Sequence, residues 1–281
     1  MTREMSACQR MEQSLLTEFR KPIWRPFMQA IRRYELIQPG DRIAVCISGG
    51  KDSMLLAKLT QMLSRHSEIP FEAEYLIMDP GYSPENRRKV LENVERLEIP
   101  YHLFESDVFE AAESQDANPC FLCARMRRGC LYKYAKALSC NKIALGHHYD
   151  DVIETTVMAM LYGGQIQGML PKRRADHFPG MALIRPLYMV RERDIIAWQD
   201  AHGLNFIQCA CRFTERAARE GQSKRQVVKK LLEELSRDEP KVPANVFNSI
   251  HVAQLDTLPG WKQGGVTHSF LENYDEGGKS C

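Results

Sequence analysis

Short apolar runs alternate with longer segments of helical periodicity through the middle of this chain. The apolar runs predict strands at 42–47, 72–78, 101–105 and 142–146, and the periodic segments predict helices at 52–65, 84–97, 124–139 and 150–162. Strands and helices that alternate in this way form right-handed β-α-β units on a parallel sheet. The pattern therefore predicts an α/β fold with a doubly wound, mostly parallel sheet.

Further segments flank this alternation at both ends. Residues 6–34 predict two helical pieces that separate near Pro22 and Pro26. The downstream pattern predicts strands near 182–187 and at 205–208, and helices at 191–202, 222–236 and 243–253. Residues 256–281 contain five glycines and little apolar periodicity, which predicts a mobile tail. We expect a helical extension at 1–38, a central domain at 39–210, a helical segment at 211–255 and the tail at 256–281.

Composition assigns the chain to the soluble globular class. It has 281 residues, of which 44% are hydrophobic and 26% are charged, and no apolar run has the length that spans a bilayer. The start, Met1-Thr-Arg-Glu-Met-Ser, lacks the apolar core of a secretory signal. We therefore expect a cytoplasmic protein with no membrane partner. In a reducing compartment, its nine cysteines favour metal or redox chemistry over a disulfide framework.

Charge is distributed unevenly, although the net charge is only +2. Acidic side chains outnumber basic ones thirteen to four at 68–118, whereas 120–136 carries five basic side chains and no acid. More basic side chains follow at 172–174 and 212–230, including Lys172 and Arg173. A discontinuous basic footprint of this kind is typical of nucleic-acid binding, and solvated helix faces are the alternative for any single run.

The first motif is Ser48-Gly49-Gly50-Lys51-Asp52-Ser53, between a predicted buried strand and an apolar helix. Two glycines permit close backbone approach, and the unpaired amides of a helix start attract anions. Lys51 adds a charge for a phosphate, and the two serines add hydroxyl donors. This context favours a phosphate-binding loop over a simple Gly-Gly turn, and the motif is not the longer loop of P-loop NTPases.

The hexapeptide resembles the S-G-G-x-D-S signature of the PP-loop ATP pyrophosphatases. The resemblance implies cleavage of ATP between its α and β phosphates and makes 39–210 an ATPase domain with a cluster-binding insertion. In such a sheet, the loops at 48–53, 79–83 and 146–151 converge on one crevice at the carboxyl ends of the strands. Asp79, which follows the second strand, is therefore included among the expected ATP contacts.

A second motif, Gly146-His147-His148-Tyr149-Asp150-Asp151, follows the strand at 142–146. It resembles the G-H-H-x-D-D element of tRNA-thiolating PP-loop enzymes. Near a triphosphate, Asp150 and Asp151 are expected Mg²⁺ ligands, and the alternative is that they cap the helix. The two histidines are expected to orient a phosphate or the activated base, although a structural role is the default for a lone histidine.

Cysteines form a third candidate site. Cys120 and Cys123 open a helix, where amides and the following arginines lower thiol pKa values, and Cys209 and Cys211 follow the last predicted strand. These four residues also fit a structural zinc site, and a Cys120–Cys123 redox disulfide is a lesser alternative. The remaining cysteines receive no role: Cys46, Cys130 and Cys140 are expected to pack, and Cys8 and Cys281 lie in predicted mobile ends.

The spacing of these cysteines is similar to the three-cysteine [4Fe–4S] site of 2-thiocytidine and 2-thiouridine synthetases. The resemblance covers roughly residues 20–255, and it implies Cys120, Cys123 and a third thiolate as ligands. This chain departs from the 2-thiocytidine pattern because it has Cys209-Ala-Cys211 where that family has C-x-x-C. Cys211 is the expected third ligand and Cys209 the alternative. The chain lacks the paired zinc fingers of the 2-thiouridine group, which favours the 2-thiocytidine type.

The resemblance implies a complete reaction. ATP–Mg²⁺ binds the first motif, the C2 oxygen of an anticodon-loop cytidine in tRNA attacks the α-phosphate, and sulfide held at the cluster then displaces AMP. In this reaction Lys51 and Asp52 act at the phosphates, Asp150 or Asp151 binds the metal, and the cysteines hold the cluster. A cysteine desulfurase or another sulfide donor is an expected partner, and a homodimer is a family expectation. Adenylation of another substrate, as in lysidine synthetase, and a nucleotide-binding regulator with structural zinc are the rivals.

Overall fold

The structure is a computed structural model that describes residues 5–106, 119–207 and 223–274, without the side chains of 119–124 and 273. The strands are β1 (Arg42–Ile47), β2 (Glu72–Asp79), β3 (His102–Glu105), β4 (Lys142–Ala144), β5 (Lys172–Arg174), β6 (Ala182–Ile184), β7 (Gly260–Gln263) and β8 (Val266–Ser269). The α-helices are α1 (Ala7–Leu16), α2 (Arg25–Arg33), α3 (Lys51–His66), α4 (Pro84–Arg96), α5 (Pro119–Ala137), α6 (Tyr149–Gly163), α7 (Glu192–Ala201), α8 (Lys224–Asp238) and α9 (Val242–Ser249).

The central sheet has the strand order β3-β2-β1-β4-β6-β5. All neighbouring pairs are parallel except β5 and β6, which are antiparallel. The chain therefore moves outward from β1 to β3 and then returns to the other side of β1 with β4. Ligands of open α/β sheets bind where the strand order reverses, which here is the carboxyl end of β1 and β4. The α/β fold with a mostly parallel sheet is confirmed.

Alternating side chains of the inner strands divide the core into two layers. Ile43, Val45 and Ile47 of β1 pack in the larger cluster, with helices that include α1, α2, α3 and α7. Ala44 and Cys46 face the opposite side, where Tyr132 and other residues of α5 cover the sheet. A strand covered on both faces has no polar face, which explains why its sequence is a continuous apolar run.

The N-terminal extension is part of the core and contains the two predicted helical pieces, α1 and α2. A π-helical turn at Arg20–Trp24, which includes Pro22, joins them. The prediction that Cys8 lies in a mobile end is wrong. Cys8 is 3% exposed on α1, and its Sγ lies 3.2 Å from Nζ of the buried Lys58. Burial raises the pKa of the Cys8 thiol, so this cysteine is a packing residue.

Two further sequence predictions are wrong. No strand forms over the described part of 205–208, whose hydrogen bonds go to helix α4 and to the phosphate loop: the Asn205 carbonyl oxygen accepts from Asn93, and the Ile207 amide donates to Gly49. Residues 260–269, which the sequence pattern placed in a mobile tail, form the antiparallel β7–β8 hairpin around Gly264-Gly265. No helix within the described ranges is long and apolar enough to cross a membrane.

Candidate active site at the switch point

The first motif is a tight loop between β1 and α3, and Gly49 is required there for two reasons. Its φ is +85°, a conformation that side chains disfavour. A Cβ at this position would also lie 2.5 Å from Val90 Cγ2 and 2.7 Å from Ile207 Cδ1. Gly50 then caps α3 without a side-chain hydrogen bond, so the first amides of the helix have no side-chain cap. The loop has the geometry of an anion site.

Hydroxyl groups fix the loop from inside. Ser53 Oγ accepts from the Ser48 amide at 3.1 Å and donates to the Gly50 carbonyl oxygen at 2.9 Å. Tyr82 donates from its hydroxyl to the Ser48 carbonyl oxygen at 3.0 Å. Asp79 acts one step away, because its Oδ1 accepts from the amides of Gly81 and Tyr82 and so shapes the turn that carries the Tyr82 ring. Both Ser53 and Asp79 are buried.

Lys51 lies between two carboxylates. Its Nζ is 3.2 Å from Asp52 Oδ2 and 2.9 Å from Oε1 of Glu192, the first residue of α7. Burial alone would lower the pKa of Lys51, but Asp52 and Glu192 raise it above the usual value. Glu192 also accepts from Lys229 Nζ at 2.6 Å, and although burial acts against it, the two lysines lower the Glu192 pKa to about 2. Lys51 is therefore positively charged and fixed by its two ion pairs before a phosphate binds.

The second motif is packed directly against the first. A Cβ at Gly146 would lie 3.0 Å from the Ser53 amide nitrogen, so the two loops are in backbone contact. His148 caps α6: its Nδ1 accepts from the Asp151 amide, and Asp151 Oδ2 accepts from the His148 amide at 3.0 Å. This reciprocal arrangement is a capping box, which fixes the direction in which α6 leaves the loop.

The two aspartates of the second motif have different surroundings. Asp150 joins two helix starts, because Arg191 Nη2 lies 2.9 Å from its Oδ1 and the Glu192 amide donates to its Oδ2 at 2.7 Å. Asp151 faces the phosphate loop and is 2.6 Å from Arg225 Nη2. Burial opposes its ionisation, but His148 and Arg225 lower the Asp151 pKa. Asp151 is therefore a carboxylate at neutral pH.

Both loops open into a cavity of about 370 Å³. Cys46, Asp52, His147 and Asp151 line one side, and Arg127, Arg128 and Leu131 of α5 line the other. Within the described residues, Asp52 Oδ1 and His147 Nδ1 are buried and have no hydrogen-bond partner. We call this space, with the lining residues just named, the PP-loop cavity.

Burial shifts the pKa values of both residues that carry these unpartnered atoms, Asp52 and His147. Burial raises the pKa of Asp52, although His148 and Lys51 oppose this shift. Burial, with Arg185 as the next contributor, lowers the pKa of His147 to about 4, so its imidazole is neutral at physiological pH. A buried polar atom without a partner is costly and favours a ligand that satisfies it.

The predicted cluster cysteines lie mostly outside the described residues. Cys120 and Cys123 are among the first five residues of α5, whose side chains are not described, and Cys209 and Cys211 fall in the segment 208–222. Among the described residues, no group of three or more His, Cys, Asp or Glu side chains forms a metal site. Cys46 and Cys140 are buried, and burial raises the pKa of the Cys46 thiol to about 12. Cys281 is also outside the described ranges.

Sequence reasoning missed three residues of this site: Glu192, Arg191 and Arg225. Arg225 belongs to the run read as a basic RNA footprint, but the structure pairs it with Asp151 and, at 2.7 Å, with Glu154. Lys229 of the same run is paired with Glu192. No local signal marks these residues, because each reaches the site from a helix distant in sequence.

The chain matches the PP-loop domain family over residues 20–220. A protein named tRNA-cytidine(32) 2-sulfurtransferase from Alcanivorax borkumensis is 34% identical over 241 residues, which cover 84% of this chain and 82% of that protein. A protein of the same name from Vibrio cholerae is 38% identical, covering 74% of this chain and 68% of its own length.

A solved structure supports the fold. The U34-tRNA thiolase NcsA from Methanococcus maripaludis, described with its [4Fe-4S] cluster, aligns with a TM-score of 0.63 at 19% identity, over 81% of this chain and 76% of that chain. At this identity the likeness shows the fold alone. The family match and the two relatives confirm the resemblance seen in the motifs: the chain belongs to the PP-loop family, among the tRNA-cytidine(32) 2-sulfurtransferases.

Proposed function

We propose that this protein is an ATP-dependent tRNA sulfurtransferase that adenylates C2 of an anticodon-loop cytidine and replaces its oxygen with sulfur. One observation carries the proposal: the anion loop lines a cavity at the carboxyl ends of β1 and β4, and two residues with unsatisfied buried polar atoms, Asp52 and His147, line the same cavity. The names of the relatives give the base and its position, cytidine 32. A tRNA substrate also agrees with the cytoplasmic location expected from the sequence.

The triphosphate of ATP would occupy the loop 48–53. The amides at the start of α3 and the Ser48 hydroxyl donate to phosphate oxygens, and Lys51 supplies a full positive charge. Lys51 is shared by Asp52 and Glu192 in the free protein, so phosphate binding replaces at least part of that pairing. Charge that develops on the leaving pyrophosphate is stabilised by groups already in position.

Mg²⁺ fits Asp52 and Asp151 better than it fits Asp150. Asp52 Oδ1 is buried without a hydrogen-bond partner among the described residues, and both residues line the PP-loop cavity. Asp150 is not among the residues that line this cavity, and it holds Arg191 and the start of α7 instead. Mg²⁺ prefers oxygen ligands, so an ion held by these two carboxylates would neutralise charge on the triphosphate.

His147 is positioned to contact the activated base or the α-phosphate. Its Nδ1 has no partner within the described residues, and its low pKa makes it a neutral ring with one donor and one acceptor nitrogen. A neutral imidazole adds no charge beside the phosphates. It can therefore orient the cytidine by a hydrogen bond.

Cys120, Cys123 and Cys211 would hold a [4Fe–4S] cluster, with Cys209 as the alternative third ligand. The helix that begins with the first two also carries Arg127, Arg128 and Leu131 of the PP-loop cavity. The Ile207 amide is bonded to the Gly49 carbonyl oxygen of the phosphate loop, and Cys209 and Cys211 are two and four residues further on, at most about 7 and 14 Å from Ile207. The cluster would supply an open iron for sulfide from a cysteine desulfurase or another donor.

Metal analysis tests the cluster. Anaerobically purified protein should contain about four irons and matching sulfide. Cys120→Ser, Cys123→Ser and Cys211→Ser should each lose them, while Cys209→Ser should retain more and Cys130→Ser, a matched change on the same helix, should retain all. A colourless protein with stoichiometric zinc would contradict the proposal. Light scattering would show whether the expected homodimer forms.

Nucleotide analysis tests the adenylation step separately. Wild-type protein with Mg-ATP and tRNA should form AMP and pyrophosphate, and Lys51→Ala should lose this activity while keeping the cluster absorbance. Lys262→Ala, an exposed change on the β7–β8 hairpin, is the control. Formation of ADP in place of AMP would refute the reaction type.

A further inference from the structure

A second cavity, of about 450 Å³, lies between α5 and the β5–β6 pair. Aromatic and apolar side chains form part of its wall, but its dominant feature is positive charge. Five arginines line it: Arg125, Arg128, Arg173, Arg174 and Arg185. We call this space the arginine cavity.

Arg185 is the buried member of the set. It follows β6, is 9% exposed and donates from Nη1 to the Leu170 carbonyl oxygen. Its Nε is buried and has no hydrogen-bond partner within the described residues. Burial, with Arg128 as the next contributor, lowers the Arg185 pKa to about 10. A guanidinium with an unsatisfied N–H in such a place favours an anion that accepts from it.

The described lining contains little compensating charge. Asp176 is its one carboxylate among the described residues, and it pairs with Arg173 at 2.7 Å. Both of these side chains are more than half exposed, so their pair is weak. Arg174 has no ion pair within the described part of the chain. The cavity is therefore cationic even after this pairing.

The arginine cavity adjoins the PP-loop cavity, because Arg128 lines both. A nucleobase has no room between the two aromatic rings of its wall, because Tyr132 and Phe178 already stack on each other with centroids 4.9 Å apart. The site is thus built for an anion adjoining the adenylation site rather than for a base. Guanidinium groups match phosphate geometry and fix the register of a nucleic acid.

We propose that the arginine cavity binds a backbone phosphate of single-stranded RNA, next to the nucleotide whose base enters the PP-loop cavity. This inference rests on the proposed function, because it assigns the position of the tRNA on the same site. Arg185 is the buried anchor, and Arg174 and Arg128 complete the contact. A phosphate held here orients the neighbouring nucleotide, so these arginines are positioning residues.

Binding of a synthetic anticodon stem-loop RNA with cytidine at position 32 tests the proposal without catalysis. Arg174→Gln should weaken binding about tenfold at low salt and reduce the slope of log affinity against log salt by about 0.7, the value for one single-strand phosphate contact. Arg185→Lys should weaken binding while keeping the charge. Arg88→Gln, an exposed change on α4, is the matched control and should bind as wild type. ATP binding and the melting temperature show that each variant is folded.

The same RNA with a neutral methylphosphonate at each loop position in turn identifies the phosphate. One substitution should weaken wild-type binding and have no further effect in Arg174→Gln. Wild-type affinity and salt slope in both Arg174→Gln and Arg185→Lys would overturn the inference. So would a flat methylphosphonate scan in which inorganic phosphate competes beyond chloride of equal ionic strength, since the cavity would then hold a free anion. If wild-type protein fails to thiolate tRNA at all, the proposed function fails instead.

Discussion

The amide of Ile207 donates a hydrogen bond to the carbonyl oxygen of Gly49, 3.3 Å away, and its side chain fills the space that a side chain at Gly49 would need. Ile207 is the last described residue before Cys209 and Cys211. The segment with the predicted third cluster ligand therefore begins at a residue that is hydrogen-bonded to the phosphate loop. Under the proposed function, this contact would join the ATP site to the segment that contains the expected third cluster ligand.

Gly49→Ala should disrupt that contact. The alanine would be strained at a φ of +85° and would overlap Ile207 and Val90. Strain costs about 1–3 kcal/mol and overpacking adds about 1–3 kcal/mol to the loss of unfolding free energy. Urea unfolding should show this loss, and Mg-ATP binding should weaken with it.

Gly40→Ala is the control for Gly49. Gly40 has nearly the same φ, +82°, but no atom lies within 4 Å of an added Cβ. Gly40→Ala should lose only the unfolding free energy that the backbone strain costs, and it should bind Mg-ATP normally. Equal effects of the two changes on stability and ATP binding would contradict the proposed role of the Ile207 contact.

Local pattern was sufficient to predict the inner sheet. Strands β1, β2 and β4 are buried, and their apolar runs stand between helices with clear periodicity. The two loop motifs were also predictable, because each joins a strand to a helix at the same edge of the sheet. The structure brings them into backbone contact at Gly146 and Ser53.

The remaining features depend on contacts that a local pattern does not contain. β5 is an edge strand with the sequence Lys-Arg-Arg, which has no apolar face to detect. The segment 205–208 was predicted to be a strand, but its described residues pack against helix α4 and the phosphate loop instead of pairing with the sheet. Glu192 and Arg225 reach the site from α7 and α8, so only the tertiary fold reveals their roles.

Asp52→Asn should stabilise the free protein while abolishing AMP formation. Burial raises the Asp52 pKa, so its ionised form destabilises the folded state at neutral pH. The gain in unfolding free energy should be present at pH 7 and should disappear as the pH falls through the folded pKa, where wild-type Asp52 is protonated. Urea unfolding across this range measures it.

Mg-ATP provides the second half of this test. Ligand at a hundredfold excess over its dissociation constant should stabilise wild-type protein by about 2.7 kcal/mol. Asp52→Asn should gain little, because it lacks a carboxylate for the metal. Asp176→Asn, an exposed change in the β5–β6 connection, should behave as wild type in both experiments. An Asp52→Asn variant that forms AMP normally would disprove the assigned role.

Glu192→Gln should destabilise the protein in a pH-dependent way. Glu192 pairs with Lys51 and Lys229, and although burial opposes these pairs, its pKa falls from 4.5 to about 2. The stabilisation is fully present above the unfolded pKa and is lost as pH falls from about 4.5 to about 2. We expect a loss of about 1.5–3 kcal/mol at pH 7, typical of charged hydrogen bonds.

Unfolding of wild type, Glu192→Gln and Glu233→Gln at several pH values checks this prediction. Glu233 is exposed on α8 and has no ion pair within the described residues, so its change controls for loss of a charge. The wild-type and Glu192→Gln curves should meet near pH 2. Curves that already meet at pH 5, or never separate, would show that the Lys51–Glu192–Lys229 pairing contributes no stability.

Nucleoside analysis of bulk tRNA tests the central claim most directly. We predict that deletion of the gene removes 2-thiocytidine, that wild-type and Arg88→Gln copies restore it, and that Lys51→Ala and Cys123→Ser copies do not. Loss of 2-thiouridine or another sulfur nucleoside, with 2-thiocytidine retained, would contradict the choice of base. An unchanged content of every thionucleoside would contradict tRNA thiolation itself.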